Sequence, residues 1–350
     1  MKHVTSPRAS VVDLRHGQPE GAPVLARDRR RALVTGAAGF IGSRLVEALL
    51  GAGHEVVGLD NFSTYYEPSV KRANIAASLG DPRFRMVTDD LATVALDPLL
   101  DGVEMVFHLA GQPGVRPSWG DHFDQYVQDN IVATQRVLEA LREHPVKRFV
   151  FASSSSVYGD AEMFPTKENA LPRPVSPYGM TKLAAEHLTF VYMRNFGIPA
   201  TSLRYFTVYG PRQRPDMAFC RFMEALVDGS EIEIFGDGEQ TREFTFVSDA
   251  VDGTVKAASA DVVGQVVNLG GGSRVSVNRV LTTLEEVSGI KSRRKYMPAA
   301  LGDPRHTGAS INLAREKLGW EPRVTLREGL TREWEWFLAA AGKKPKARPA

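Results

Sequence analysis

The chain has 350 residues, 43% of them hydrophobic and 24% charged, and its formal net charge is only +2. This length is enough to bury a large core, in one α/β domain or in two closely joined ones. Basic and acidic residues are mixed along the sequence, which excludes a broad electrostatic footprint for nucleic acid or an anionic membrane. No apolar run is long enough to span a bilayer, and no Cys/His cluster has metal-ligand spacing. The single cysteine, Cys220, excludes an internal disulfide and fits the reducing cytoplasm, where we expect the protein to act.

The predicted elements start after a long polar segment. Residues 1–29 are rich in Arg, Pro and Gly without a hydrophobic period, which predicts a flexible extension, and 342–350 is predicted to be a flexible tail. Ordered structure is expected to begin with a buried strand at 31–35 and a helix that starts at Phe40. Further strands are expected at 55–59, 84–87, 105–109, 149–152 and 201–206, with helices at 123–142 and 178–196.

This alternation of strands and helices predicts an α/β fold with a doubly wound parallel sheet of the Rossmann type. In such sheets, ligands bind beyond the carboxyl ends of the strands. After about residue 210 the pattern is less regular, with short strands at 232–235 and 266–269. We therefore predict a dinucleotide-binding domain at 30–205 and a smaller substrate-binding lobe, mainly residues 206–341.

Three glycines lie between the first strand and the first helix, in the pattern Gly36-x-x-Gly39-x-x-Gly42. Residues without a Cβ allow a tight turn, a close approach of backbone to a pyrophosphate, and close packing of helix on strand. The start of the helix, at Phe40 and Ile41, adds free N–H groups and the positive end of its dipole. The sequence therefore predicts a dinucleotide site at this turn.

An acidic residue, Asp60, closes the second strand. Its carboxylate can accept hydrogen bonds from both hydroxyls of an adenosine ribose and would repel a 2′-phosphate, which predicts NAD rather than NADP. Asp90 is placed to meet the adenine, although an acidic turn is an alternative role for it. The other residues expected beside the cofactor follow the second, third and fourth strands: Asn61, Leu91, Leu109, Ala110 and Gly111.

Tyr178 and Lys182 are four residues apart and therefore lie on one face of a helix. A free phenol has a pKa of about 10 and is a poor base at neutral pH. The ammonium of Lys182 and the positive nicotinamide of NAD⁺ should lower that pKa, and Lys182 would also bind the nicotinamide ribose. A serine run ends the fifth strand. We expect the hydroxyl of Ser154, with Ser155 as its neighbour, to hydrogen-bond the substrate oxygen that loses its proton.

Together these residues resemble the extended short-chain dehydrogenase/reductase family, and within it the NDP-sugar epimerases and dehydratases. The resemblance runs from about Arg31 to Leu338 and includes the segments 108–112, 176–178, 204–211 and 242–247. Dehydratases of this family carry an Asp-Glu pair directly after the catalytic hydroxyl, and UDP-glucuronate decarboxylases carry a Glu at the second of those positions. This chain has Ser155 and Ser156 there, which favours an epimerase that oxidises C4 and then returns the hydride.

Three segments, 60–66, 112–116 and 206–217, resemble the UDP-glucuronate 4-epimerases in particular. Glucuronate has a carboxylate at C6, and an arginine fork suits such a group. The candidates for holding it are Arg116, Arg214, Ser155 and Thr207, although Arg214 could instead be a surface or diphosphate-binding arginine. The resemblance also implies that Arg242 and Arg305 hold the diphosphate of UDP. It implies that Phe219 and Phe235 border the uracil, with a core role as the alternative for Phe219.

Alternatives to a UDP-glucuronate epimerase stay open at this point. The nearest is a UDP-glucose 4-epimerase, although those enzymes usually have Asn where Thr207 stands. A decarboxylase that has lost its usual Glu comes next. Outside enzymes, a non-catalytic NAD-binding sensor is the alternative, and such proteins typically lack the Tyr–Lys pair. The resemblance further implies a homodimer, formed through the helices at 123–142 and 178–196.

Overall fold

A computed structural model describes residues 30–298 and 304–342. The predicted extension at 1–29, and the predicted tail apart from Gly342, lie outside the described residues. The strands are β1 (Arg31–Thr35), β2 (Glu55–Asp60), β3 (Phe84–Thr88), β4 (Met105–His108), β5 (Arg148–Ser154), β6 (Ala200–Tyr205), β7 (Val208–Tyr209), β8 (Glu231–Phe235), β9 (Thr241–Glu243), β10 (Thr245–Phe246), β11 (Val266–Leu269), β12 (Arg274–Ser276) and β13 (Arg293–Met297). The α-helices are α1 (Phe40–Gly51), α2 (Pro68–Ile75), α3 (Asp97–Leu100), α4 (Phe123–Tyr126), α5 (Ala133–Glu143), α6 (Pro177–Phe196), α7 (Ala218–Asp228), α8 (Val247–Ala257), α9 (Val277–Ser288), α10 (Asn312–Leu318) and α11 (Leu326–Ala341).

Within the described residues, seven strands form one parallel sheet in the order β11-β6-β5-β4-β1-β2-β3. The predicted doubly wound α/β fold is confirmed. The strand order reverses between β1 and β4, and ligands of such sheets bind at this switch point, outside the carboxyl ends of the strands. β11 comes from the segment predicted as the second lobe, and it pairs with β6 at the edge of the sheet. The domain boundaries at 205 and 206 stay a prediction.

Both faces of the sheet are buried. Successive side chains of a strand point to opposite faces, so a single strand contributes to two apolar clusters. In β1, Ala32 and Val34 join one apolar cluster with residues of α1, α8 and α9. Leu33 joins a second cluster with residues of α3, α5 and α6. A strand covered on both faces reads as a continuous apolar run, which is what β1 and β5 show in the sequence.

The continuous helix predicted over 123–142 is interrupted. It consists of α4, a π-helical segment at Val127–Val132, and α5. The amide side chain of Asn130, within that segment, accepts from the backbone N–H of Gln112 at 2.8 Å and donates to the carbonyl of Gln112 at 3.1 Å. Such local widening of a helix is frequent at functional sites. Here it brings a side chain onto the loop that follows β4.

Shorter strand pairs, β8 with β13, β9 with β12 and β7 with β10, lie beside the main sheet. They are covered by α7, α9 and α11, and their apolar side chains continue the cluster that includes α1. The helices of the described residues include none that is both long enough and apolar enough to cross a membrane.

Candidate active site

A cavity runs along the carboxyl ends of β1, β2, β4 and β5; we call it the first cavity. Every residue predicted to bind the cofactor lines it: Gly36, Gly39, Phe40, Ile41, Gly42, Asp60, Asn61, Asp90, Leu91, Leu109, Ala110, Gly111, Tyr178 and Lys182. The parallel sheet therefore brings together residues that are more than a hundred positions apart in the chain.

The glycines of the β1–α1 turn leave space that no other residue type would leave. Gly36 has a φ of 70°, and a Cβ there would lie 2.8 Å from the backbone nitrogen of Ala110. A Cβ on Gly42 would lie 2.0 Å from the carbonyl oxygen of Gly36. α1 begins without a side-chain cap. Its first N–H groups, which belong to residues lining the first cavity, therefore form an anion site.

The carboxylate of Asp60 is buried at the end of β2, where it organises the same turn. It accepts hydrogen bonds from the N–H of Ala38 at 3.1 Å and of Phe62 at 2.8 Å. The ammonium of Lys71 lies 3.5 Å from its Oδ1. An ionised carboxylate has about four lone-pair sites, so Asp60 retains acceptor capacity toward a ribose.

Tyr178 lies at the start of α6. The hydroxyl of Ser176 caps this helix by accepting from the N–H of Gly179 at 3.1 Å, and Pro177 occupies the first turn. Burial raises the pKa of Tyr178; a hydrogen bond to Ser154 and the positive charge of Arg214 offset this in part. The lowering of this pKa expected from the sequence is therefore not found in the protein alone, because burial outweighs the favourable charges.

Lys182 lies one turn further along α6 and is 6% exposed. Burial lowers its pKa to about 8, against a smaller raising effect of Glu186. Its Nζ lies 4.6 Å from the ring centroid of Phe151, on β5. An ammonium with so little water around it interacts strongly with any charge that enters the first cavity.

The serine run divides into different roles. Ser153 donates a hydrogen bond to Glu186 at 2.7 Å, and Glu186 forms a buried ion pair with Arg204. The hydroxyl of Ser153 is thus engaged in a buried hydrogen bond, although the residue also lines the first cavity. The hydroxyl of Ser154 accepts from the N–H of Ser156 at 3.1 Å and lies beside Tyr178, while Ser155 starts the 3-10 turn at 155–157.

A second cavity, of about 620 Å³, lies between α7, β8 and the loop after β4. Its volume is in the range of small-molecule sites. Five of the predicted substrate-binding residues line it: Arg116, Thr207, Phe219, Phe235 and Arg242. The guanidinium of Arg116 stacks on the ring of Phe235, 4.1 Å from its centroid.

Two of the arginines predicted to bind the substrate lie outside the second cavity. Arg214 lines the first cavity, together with Tyr178, rather than lying beside Arg116. Arg305 is exposed and lies outside the lining of both cavities; its guanidinium pairs with Asp237 at 2.9 Å. Its carbonyl accepts a hydrogen bond from Arg242 at 3.3 Å, so its backbone, not its side chain, contacts the predicted diphosphate site.

Residues 32–270 match the model of a family described as the NAD dependent epimerase/dehydratase family. The chain belongs to this family. A Bacillus subtilis protein named "Uncharacterized UDP-glucose epimerase YtcB" is 47% identical over 305 residues, 87% of this chain and 96% of its own length. A UDP-glucuronate 4-epimerase of Thermodesulfobacterium geofontis is 37% identical over 309 residues, 87% of this chain and 95% of its own. A crystal structure of UDP-glucuronic acid 4-epimerase from Bacillus cereus, in complex with UDP-glucuronic acid and NAD, superposes with a TM-score of 0.87 at 42% identity, covering 89% of this chain and 99% of the other.

Membership of the NAD dependent epimerase/dehydratase family confirms the prediction of NAD as cofactor. The structure fits that cofactor independently. The uncapped start of α1 suits a pyrophosphate, and a Cβ at Gly36 or Gly42 would close the turn on which it must rest. In the described residues, no group of three or more His, Cys, Asp or Glu side chains is placed to hold a metal ion.

Several lining residues were not predicted from the sequence. Tyr65, Tyr66 and Lys71 line the first cavity, and Asp216 lines the second. Tyr65, Tyr66 and Asp216 lie in segments that resemble the UDP-glucuronate 4-epimerases. The resemblance marked these segments but assigned no role to the three side chains. Asn130 had no signal, because nothing in the sequence marks the π-helical segment.

Proposed function

We propose that this protein interconverts UDP-glucuronate and UDP-galacturonate by inverting C4 through a transient 4-keto sugar. The observation that carries the proposal is that one cavity holds Tyr178, Lys182, the glycine turn and a cationic side chain, Arg214. The named relatives support it, because they include UDP-glucuronate 4-epimerases that align over most of both chains.

NAD would be held along the first cavity. The glycine turn and the start of α1 bind its pyrophosphate, Asp60 and Asn61 its adenosine ribose, and Asp90 and Leu91 border the adenine. The loop 109–111 and Lys182 hold the nicotinamide end. Bound NAD supplies reversible acceptance of the hydride from C4, so no net oxidation of the sugar results.

Tyr178 acts as the acid and base at O4 of the sugar. Its position at the positive end of α6, with Arg214 nearby, favours the phenolate, as does the hydrogen bond to Ser154. Ser154 also holds the sugar oxygen while the proton moves to Tyr178. When C4 is reduced from its other face, Tyr178 returns the proton.

Inversion requires the keto sugar to turn over without leaving the enzyme. The second cavity supplies the anchor: Arg242, held by the backbone carbonyl of Arg305, binds the diphosphate, and Phe219 and Phe235 border the uracil. Binding energy from this remote part of the substrate keeps the sugar in place while it rotates about its bond to the diphosphate.

The sugar carboxylate needs donors of its own. Arg214 is the candidate that lines the first cavity with Tyr178, Thr207 and Arg116 are the candidates that line the second, and Ser155 follows Ser154 without lining either. The 4-keto intermediate is a β-keto acid and can lose CO₂. We propose that these donors hold the carboxylate in an orientation that disfavours that loss.

A UDP-glucose 4-epimerase is the second candidate function. It is favoured by the name of the Bacillus subtilis relative, which shares 47% identity with this chain. The same Tyr178 chemistry would serve it, and only the group at C6 differs. Arg214 argues for the charged sugar, because a cation in the cavity is better matched by a carboxylate than by a hydroxymethyl group.

We further propose a homodimer that works in the cytoplasm. Met180, Val191 and Phe196 on α6 are exposed, with relative accessibilities of 39%, 52% and 50%. These side chains lie on one of the helices predicted for subunit contact. Light scattering should give twice the mass of the 38.4 kDa chain, and a monomeric mass would contradict the proposal.

The function is tested by incubating the purified protein with UDP-glucuronate and, separately, with UDP-glucose, without added NAD, and following the sugar protons by NMR. We expect UDP-galacturonate from the first substrate alone. Conversion of UDP-glucose alone would select the second candidate function, and conversion of neither would contradict both.

A further inference from the structure

The two cavities are separated by a short wall of side chains. Tyr65 lines both of them, Arg214 lines the first and Asp216 lines the second. The phenol of Tyr65 packs against the loop after β4, since a Cβ at Gly114 would lie 2.5 Å from its hydroxyl. A sugar whose nucleotide occupies the second cavity must meet this wall before it reaches Tyr178.

Asp216 occupies the binding fork of Arg214. The Nε of Arg214 donates to one carboxylate oxygen at 3.0 Å, and its Nη2 donates to the other at 3.1 Å. This two-point geometry is the one an arginine uses for any planar carboxylate, including that of a uronic acid. The side chain of Asp216 therefore stands where a sugar carboxylate would bind this face of Arg214.

Tyr65 completes the arrangement by donating its hydroxyl proton to Oδ2 of Asp216 at 3.2 Å. Burial, followed by the charge of Asp216, raises the pKa of Tyr65 to about 12. The phenol thus stays protonated and remains a donor over the working pH range. It gives Asp216 a partner that does not depend on Arg214.

We propose that Asp216 is an internal substitute for the substrate carboxylate, and that the two carboxylates exchange on Arg214 as the sugar enters. The proposal rests on UDP-glucuronate as substrate. In the exchange Arg214 passes from one carboxylate to another and never faces the cavity unpaired, while Asp216 keeps its bond to Tyr65. A neutral sugar offers Arg214 no replacement, so the pair of Arg214 and Asp216 stays closed when such a sugar enters.

The same exchange assists rotation of the keto sugar. A carboxylate bound to an arginine without a competitor would be released slowly, and the sugar could not turn freely. Because Asp216 competes for the same N–H groups, the sugar carboxylate can leave Arg214 without a large loss of pairing. Asp216 is in this sense a positioning residue that acts through Arg214.

The test uses Asp216→Asn, which keeps the shape and removes the charge. Binding is measured by calorimetry with UDP-glucuronate and with UDP-glucose in a Tyr178→Phe background, so that affinity is read without turnover. We expect UDP-glucuronate to bind about threefold more tightly, as for a partly exposed charge pair, and UDP-glucose to bind no more tightly. With Tyr178 present, kcat on UDP-glucuronate should fall together with KM.

Two further variants keep the outcome interpretable. Asp81→Asn removes a carboxylate that pairs with Arg83 at 2.6 Å in the turn before β3, and it should change neither affinity. Tyr65→Phe should act in the opposite direction and weaken the binding of UDP-glucuronate, because Asp216 then loses the partner that it keeps after leaving Arg214. Equal weakening of both ligands by Asp216→Asn, or no change, would overturn the exchange. Since binding is read separately, this failure is distinct from an absence of epimerisation by the parent enzyme.

Discussion

Arg212 donates a hydrogen bond from Nη2 to Oε1 of Glu47 at 2.6 Å, and so ties the loop after β7 to the helix that starts at the glycine turn. A second bond, from Nη1 to Ser43, has a length of 3.3 Å. Arg212 has a φ of 76°, a left-handed conformation that costs about 1 kcal/mol or more for a residue with a Cβ. This loop also carries Arg214 and Asp216, so the contact links the substrate side of the site to the cofactor side.

Replacing Arg212 by methionine should raise KM for the nucleotide sugar several-fold, because the loop loses its anchor while its strained conformation remains. The free energy of unfolding should fall by about 1 kcal/mol. Arg44→Met is the matched control, since Arg44 pairs with the same Glu47 at 3.2 Å but from within α1. KM is measured for both variants by steady-state kinetics. Equal KM values would show that the contact between Arg212 and Glu47 does not affect substrate binding.

Tyr178→Phe should abolish epimerisation while leaving the binding of UDP and NAD intact, because only the proton-transfer group is lost. Tyr158→Phe removes a buried hydroxyl that bonds Asn268 at 2.8 Å, and it should lower Tm while turnover persists. Activity assays with calorimetric binding separate the two effects. Residual turnover by Tyr178→Phe at more than about a hundredth of the parent rate would assign the proton transfer to another group.

Removing a side chain that donates hydrogen bonds to the sugar carboxylate should increase decarboxylation of the keto intermediate. In Thr207→Ala and in Arg214→Ala, the 4-keto uronic acid is held less firmly, so a larger share of turnovers should end in a UDP-pentose. Arg83→Ala, which removes a partly exposed pair with Asp81 in the turn before β3, is the control. Products are resolved by chromatography and NMR, and a by-product fraction unchanged from the parent in both variants would remove this role from Thr207 and Arg214.

Glu333, on α11, makes stability depend on pH. It is fully buried, and a backbone contact with Gly210 only partly offsets the loss of water around its carboxyl group. Burial raises its pKa to about 8. Between the pKa of a free glutamate, about 4.3, and pH 8, the folded protein keeps a proton that the unfolded chain has lost. Stability from this group therefore falls as pH rises through that window, by up to about 1.4 kcal/mol per unit.

Glu333→Gln carries no charge and should remove this slope. Its Tm should exceed that of the parent at pH 8 and approach it near pH 5. Thermal unfolding at both values is the measurement. A difference in Tm that is the same at both pH values would show that Glu333 does not titrate in the window.

Local patterns in the sequence were enough to predict the fold and many of the residues that line the first cavity. The β1–α1 turn could be predicted because glycine spacing and strand–helix context are both local. Asp60, Tyr178 and Lys182 could be placed because each lies at a recognisable end of an element. The parallel sheet then brings these ends together whatever the sequence between them.

The substrate side depends on contacts that no local pattern encodes. Arg116 and Arg214 were both candidates for holding the sugar carboxylate, but Arg116 stacks on Phe235 and lines a different cavity from Arg214. The pairing of Tyr65 with Asp216 joins residues far apart in the chain. The π-helical segment is equally non-local, because Asn130 finds its partner on the loop after β4.

The proposed reaction is tested most directly by supplying UDP-glucuronate with deuterium at C4 and determining where the label lies in the product. If C4 is oxidised and reduced within one site, with no exchange of its hydrogen with water, UDP-galacturonate should retain deuterium at C4. Product that carries protium from solvent at C4, or no UDP-galacturonate at all, would contradict the proposed reaction.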